Sequence, residues 1–148
     1  RFSPEEQETP GLTMKETFEL VDALVEKPLD YLHVSLMDFH STARRGADPS
    51  AKRIDLIKNR INDKLPLIGV GSLYSAEDVA AAIAMGVPLI GIGRELLIDP
   101  DFVTKIKEGR ENEIISLIDP AREDHHGLPR PLWDIILQTK GWVPTKTQ

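Results

Sequence analysis

The sequence contains no cysteine, which excludes disulfide bonds and metal sites built from thiolates. Its longest apolar runs fall far short of the roughly 20 residues that a membrane-spanning helix needs. Acidic residues outnumber basic ones by 24 to 18, and the resulting net charge of −6 argues against a nucleic-acid-binding surface. No secretory signal pattern is present either, and the lack of cysteine fits a cytoplasmic enzyme of bacterial type.

The sequence has enough hydrophobic residues to form a core. Hydrophobic residues make up 41% of the 148 positions, enough for one domain of ordinary size. The sequence begins at Arg1 rather than at a methionine. We therefore expect a trimmed product or a piece of a longer protein.

The first half of the sequence alternates helical and strand patterns. A capping box begins at Thr13, and apolar residues at helical spacing predict a helix that ends near Glu26. Residues 31–36 suit a buried strand. The dipeptide Asp48-Pro49 then predicts the start of a second helix, whose apolar face contains three isoleucines at helical spacing.

The alternation continues in the second half. Two apolar runs closed by glycines, "LPLIGVGSL" and "VPLIGIG", read as buried parallel strands. Ser75 and Asp78 predict a capped helix between them, with Gly86 at its end. Asp99-Pro100 predicts the start of a further helix, and residues 131–140 predict the last one before an extended tail.

This order predicts an α/β fold with about three parallel strands and flanking helices. A complete (β/α)8 barrel usually takes about 250 residues, more than this sequence has. Two interpretations follow from the pattern alone: a small open α/β domain, or part of an incomplete barrel.

Two matching glycine turns close the strands. "PLIGVGSL" and "PLIGIGREL" share Pro-Leu-Ile-Gly, one β-branched residue and a second glycine, and a helix follows each. Glycine lets backbone N–H groups approach a ligand, a helix start favours an oxyanion, and Arg94 adds a cation suited to phosphate oxygens. An alternative explanation needs no ligand: the glycines relieve crowding where each strand turns, and Arg94 pairs with a surface carboxylate. The repetition of the turn favours a phosphate site.

Residues 1–110 also resemble a known family. The segments "RFSPEE", "GLT", "DYLHVS", "PLIGVGSL" with "SAEDV", and "GIGRELLIDPDFV" are similar in order and spacing to the C-terminal half of the old yellow enzyme family, the NADH:flavin oxidoreductases. The resemblance implies the C-terminal part of a (β/α)8 TIM barrel that binds FMN. It also implies that hydride passes from NADH or NADPH through FMN to an electron-poor alkene. Residues 111–148 are expected to form a C-terminal helical extension and tail.

Five residues match cofactor-binding positions of that family. Arg1 is implied to lie at the N1/O2 edge of the flavin, where its charge would stabilise the reduced ring. Gly71, Ser72, Gly93 and Arg94 are implied to hold the phosphate and ribityl end of FMN. The family's catalytic groups lie in its N-terminal half, so no catalytic residue is assigned here and this part alone is expected to be inactive.

One loop is a candidate substrate site. His40 lies in "MDFHSTARRG", just after a predicted strand end, on what would be the active-site side of a barrel. With Arg44 or Arg45 it would line a substrate or nicotinamide pocket. A solvated basic loop would have the same sequence, and that alternative stays open.

The other three histidines predict no metal site. His33 lies within a strand and is expected to be a core histidine bonded to a backbone group. His125 and His126 are adjacent in a loop without the spacing of metal ligands, and solvent exposure is expected for both.

Two further functions are open at this point. One is a phosphate-binding barrel enzyme of another reaction class. The other is a half-barrel without catalytic activity that associates with a copy of itself, since half a barrel exposes sheet edges and an apolar layer. A homo-oligomer is expected on the same ground.

Overall fold

The computed structural model describes residues 1–6 and 9–146. Within them the chain forms a parallel sheet in the order β1 (Leu32–Ser35), β2 (Leu67–Val70) and β3 (Leu89–Gly91). Each pair of strands is joined by a segment that contains a helix, the connection that parallel neighbours require. The predicted α/β fold with three parallel strands and flanking helices is confirmed.

The helices of the described residues follow the predicted order. They are α1 (Met14–Val25), α2 (Arg53–Ile61), α3 (Ala76–Ala84), α4 (Arg94–Ile98), α5 (Phe102–Lys107) and α6 (Arg130–Gln138), with short 3-10 turns at Glu111–Glu113 and Glu123–His125. No helix in this part of the chain has both the length and the apolar character needed to cross a membrane.

Two helix starts that were predicted from capping motifs are confirmed. At α1, the Thr13 N–H donates to the Glu16 carboxylate at 2.9 Å, and the Thr13 side chain caps the first turn in return. At α3, the Asp78 N–H donates to Ser75 Oγ at 3.0 Å, and the Ser75 N–H donates to the Asp78 carboxylate at 3.0 Å. Each motif satisfies N–H groups that a helix start leaves without partners.

The two starts predicted from Asp-Pro dipeptides are wrong. Helices α2 and α5 begin later than those dipeptides, at residues 53 and 102. Asp48 instead accepts a hydrogen bond from the Ser50 N–H at 2.9 Å, and Asp99 accepts one from the Asp101 N–H at 3.2 Å. Each carboxylate therefore closes a turn two residues ahead rather than capping a helix.

The chain divides into two compact units. The first contains residues 1–73 and 79–91, with the whole sheet. The second contains residues 74–78 and the chain from residue 92 onward. The expected division into a barrel part and an extension near residue 110 remains a prediction.

The sheet of the first unit has two unlike faces. Leu32, Val34 and Leu67 are buried, and the buried Gly69 lies directly against the ring of Phe39. The alternate residues of β1 and β2 are only half-buried, and Leu89 of β3 is 47% exposed. One face is therefore a packed core, while the other has no complete cover within the described residues.

The second unit has a core of its own. The residues that form it are Ile98, Ile118, Trp133, Ile136 and Val143. The segment predicted as an extended tail pairs with this core, because the Ile118 N–H donates to the Pro144 carbonyl and the Lys146 N–H donates to the Ile118 carbonyl, each at 2.9 Å. The last helix is confirmed at Arg130–Gln138.

Candidate functional site

Backbone pairing holds Arg1 beside β1. The Phe2 N–H donates to the His33 carbonyl at 3.0 Å, and the Ser35 N–H donates to the Phe2 carbonyl at 2.9 Å. The Arg1 guanidinium then donates to Ser35 Oγ at 2.9 Å. Because Ser35 is the last residue of β1, this exposed cation lies at the carboxyl end of the strand, the end at which barrel enzymes bind ligands.

The turn after β2 is fastened to the loop that follows β1. The Phe39 N–H donates to the Gly71 carbonyl at 3.1 Å, and the Ser72 hydroxyl donates to the Met37 carbonyl. A Cβ on Gly71 would lie 2.6 Å from the Phe39 nitrogen. Close backbone approach therefore requires glycine at this position, whether or not the turn also contacts a phosphate.

Replacing Gly71 with alanine is expected to destabilise the protein by about 1–3 kcal/mol, the cost of overpacking against atoms that cannot move aside. The obstacle is backbone, which has less freedom than a side chain. Gly93→Ala is the matched control, since a Cβ there would meet nothing within 4 Å. Denaturant unfolding of both variants checks this, and equal stability of the two would show that the turn yields without cost.

The turn after β3 has a different character. Gly93 is the residue before α4, with a negative φ of −121°, so a left-handed backbone does not explain the glycine. Packing does not explain it either, because a Cβ at Gly93 would point into open space among the described residues. Bare backbone at Gly93 therefore faces open space at the start of α4, where exposed N–H groups can approach an oxyanion such as phosphate.

Arg94 is the first residue of the short helix α4 and is partly buried. Its Nη1 lies 3.5 Å from the Trp142 carbonyl oxygen, at the outer limit of a hydrogen bond.

Glu95, the next residue, was not predicted as a functional residue. Its side chain is 1% exposed, and neither carboxyl oxygen has a hydrogen-bond partner within the described part of the chain. Burial raises the pKa of Glu95 to about 8, and the nearby Asp99 and Asp78 add to the increase, while Lys105 opposes it. Glu95 is therefore mostly protonated near neutral pH and adds little negative charge beside Arg94.

His40 and Arg44 have different surroundings among the described residues. The His40 N–H donates to Asp38 at 2.8 Å, and its ring packs edge-on against Phe39, with Nδ1 3.5 Å from Lys52 Nζ. Arg44 lines a cavity that His40 does not line. The substrate-binding role of each residue remains a prediction.

Two expectations for the other histidines are wrong. His33 Nε2 is buried without a hydrogen-bond partner among the described residues, and burial, followed by the charge of Arg1, lowers the pKa of this histidine. His126 is buried rather than solvated. Its Nδ1 lies 2.7 Å from the Ile98 carbonyl oxygen, and its Nε2 accepts the Asp119 N–H at 3.2 Å. These partners select the neutral tautomer protonated at Nδ1.

Among residues 1–6 and 9–146, no group of three or more histidine, aspartate or glutamate side chains is arranged to hold a metal ion.

Comparison with known proteins identifies relatives of this chain. A family model described as "NADH:flavin oxidoreductase / NADH oxidase family" matches residues 1–113. "Probable NADH-dependent flavin oxidoreductase YqiG" of Bacillus subtilis is 56% identical over 99% of the chain, and the match spans 39% of that protein. NADH:fumarate oxidoreductase of Klebsiella pneumoniae is 30% identical over 93% of the chain, and NADH:acrylate oxidoreductase of Vibrio harveyi is 29% identical over 92%. The matches span 15% and 14% of those two proteins.

Proposed function

This chain belongs to the NADH:flavin oxidoreductase / NADH oxidase family, and on that premise we propose that it forms the C-terminal part of a (β/α)8 TIM barrel that binds FMN. The proposed reaction transfers hydride from NADH or NADPH, through FMN, to an electron-poor alkene in a small-molecule substrate. Residues 1–110 would form part of the barrel, and residues 111–148 would form the C-terminal extension. No group of this chain is assigned as the proton donor, so the chain alone is expected to be inactive.

The sheet supports the barrel. Ile68 and Val70 are only half-buried on the face that also carries Leu89, although all three are apolar. Further strands of a closed barrel would cover this face, and the curated relatives are long enough to supply them. In the 148-residue chain alone, the same face predicts self-association, which light scattering would detect.

FMN is the cofactor that we assign, and it supplies two-electron transfer between nicotinamide and substrate. Gly93 and Arg94 would bind its phosphate, together with Gly71 and Ser72. Arg1 would place positive charge at the pyrimidine edge of the flavin, where it stabilises the anion formed on reduction. The observation that carries this proposal is the open space at Gly93 beside Arg94, because neither φ nor packing requires glycine there.

A paired titration tests the phosphate site. The full-length flavin-free protein is expected to bind FMN at least about 10-fold more tightly than riboflavin, since only FMN offers oxyanions for charge-assisted hydrogen bonds. Quenching of flavin fluorescence measures both affinities. Equal affinity for the two flavins would contradict a phosphate site at these residues, and failure to bind either would contradict the assignment of FMN.

A further inference from the structure

Helix α4 carries two neighbouring residues with different surroundings. Arg94, its first residue, belongs to the proposed phosphate site, whereas Glu95 is buried, with 1% of its surface exposed. The helix ends at Ile98 and therefore has five residues. Because this is little more than one helical turn, a displacement of Glu95 also displaces Arg94 and the preceding Gly93.

The Glu95 carboxyl group has surroundings that favour its neutral form. Neither of its oxygens has a hydrogen-bond partner within the described part of the chain. The charged groups that face it are Asp78 of α3, Asp99 at the end of α4 and Lys105 of α5, and two of these three carry the same charge as an ionised glutamate. All of them lie in the second unit. A carboxylate without donors costs far more to bury than a carboxylic acid does.

Lys105, the cation among these three neighbours, is already bound elsewhere. Its Nζ donates to the Asp99 carboxylate at 2.6 Å and to the Glu113 carbonyl at 3.0 Å. Asp99 also accepts the Ile115 N–H at 3.0 Å, so the pair is fixed between helix and loop. Asp78 accepts backbone N–H groups near the start of α3. Once ionised, the buried carboxyl would therefore have to move towards water, and α4 would move with it.

We propose that Glu95 is a positioning residue of the FMN phosphate site: its protonated side chain keeps α4 in place, and its ionisation displaces Gly93 and Arg94 and weakens their hold on the phosphate. Binding of FMN is then coupled to the retention of one proton. This inference rests on the proposed function, because it adds a regulation by pH to the same site. Glu95 acts through its two neighbours and is not a catalytic residue.

The coupling has a definite direction. Burial, followed by the charge of Asp99, raises the pKa of Glu95 to about 8, and bound FMN raises this pKa further by holding α4 in place. Between the two values the FMN-bound protein keeps a proton that the flavin-free protein releases. The affinity for FMN therefore falls as the pH rises above about 8, by up to about tenfold per pH unit. A phosphate monoester loses its second proton near pH 6, so the charge of the phosphate is constant in this range.

The experiment titrates the full-length flavin-free protein with FMN and with riboflavin at intervals from pH 6.5 to pH 9.5. The FMN affinity is expected to fall about 10-fold or more over this range, while the riboflavin affinity, which shares the ring but involves no phosphate, stays constant. In Glu95→Gln, and in Glu95→Met, which has a similar volume and no titratable proton, the FMN affinity should not fall. Calorimetry near pH 9 in two buffers should detect proton uptake on FMN binding by the original protein and none by either variant. Glu77→Gln, at an exposed position of the second unit, is the control and should behave as the original protein does.

Equal pH profiles for the original protein and the two Glu95 variants would overturn the inference. A parallel fall in riboflavin affinity would overturn it too, because ionisation would then disturb the whole flavin site rather than the phosphate contacts. The proposed function is tested separately by comparing the two flavins at pH 6.5, where Glu95 is protonated. Preference for FMN there, without a fall that depends on Glu95, would contradict this inference alone, whereas equal affinity for both flavins there would contradict the phosphate site itself.

Discussion

Replacing Arg94 with alanine is expected to weaken FMN binding about 100-fold and to leave riboflavin binding unchanged. A charge-assisted hydrogen bond contributes about 1.5–3 kcal/mol, and each 1.4 kcal/mol is about a factor of ten in affinity. The planar guanidinium can form two such bonds with one phosphate. Riboflavin has no phosphate, so the loss should be confined to FMN. Fluorescence titration of the variant with both flavins measures it.

Two substitutions sharpen this prediction. Arg94→Lys keeps the charge but loses the paired donors, so an intermediate affinity for FMN is expected. Arg110→Ala removes another arginine of the second unit, one that pairs with Glu108 and Glu113, and should leave both affinities unchanged. If Arg94→Ala weakened FMN and riboflavin equally, the residue would act through the fold of the second unit, where it contacts Trp142.

The two glycine turns have nearly the same sequence, but their glycines are required for different reasons. A Cβ on Gly71 would strike the backbone at Phe39, and one on Gly91 would lie 2.5 Å from Val70 Cγ2. Gly93 alone among these three has open space around it. Similar sequences therefore predict similar turns. Whether a side chain would fit at each glycine depends on which segment packs against it in the folded chain.

The strands and helix starts that could be predicted from the sequence are those set by residues close together in the chain. Strands β2 and β3 are apolar runs closed by glycine, and the starts of α1 and α3 are set by side chains three residues apart, as at Thr13 and Glu16. Such motifs contain donor and acceptor within one turn, so no distant contact is needed to satisfy them. The Asp-Pro starts failed because an aspartate can equally close a turn two residues ahead, as Asp48 does.

The missed residues depend on tertiary burial. His126 is buried because its ring stacks on Trp133 and bonds to the Asp119 N–H and to the Ile98 carbonyl, which is 28 residues away. For Arg53 and Glu95 a signal did exist. Arg53 precedes the buried Ile57 by four residues, and Glu95 precedes the buried Ile98 by three, so each shares a buried helix face. The apolar pattern predicts these faces, but not that a charged residue would occupy them.

The burial of Glu95 has a consequence for stability. The pKa of Glu95 is about 8 in the folded chain, against an ordinary value of 4.5. Between these values the folded chain keeps a proton that the unfolded chain releases, so the free energy of unfolding falls as the pH rises from 4.5 to 8 and levels off above it. The charged groups facing Glu95 are Asp78, Asp99 and Lys105, and Lys105 is held by Asp99 at 2.6 Å.

Replacing Glu95 with glutamine is therefore expected to remove this decline. Near pH 5 the variant and the original protein should have similar stability, whereas at pH 9 the variant should be more stable, by on the order of 3 kcal/mol. Denaturant unfolding at intervals from pH 5 to pH 9 measures the difference in unfolding free energy between the two proteins. The other titrating groups are the same in both, so their contributions cancel in this difference. Glu77→Gln, at an exposed position of the second unit, is the control and should leave the curve unchanged. Parallel curves for Glu95→Gln and the original protein would show that Glu95 ionises normally and has found a partner. A curve that separates above pH 5 would establish that the Glu95 carboxyl, next to Arg94 in the sequence, stays neutral well above its ordinary pKa.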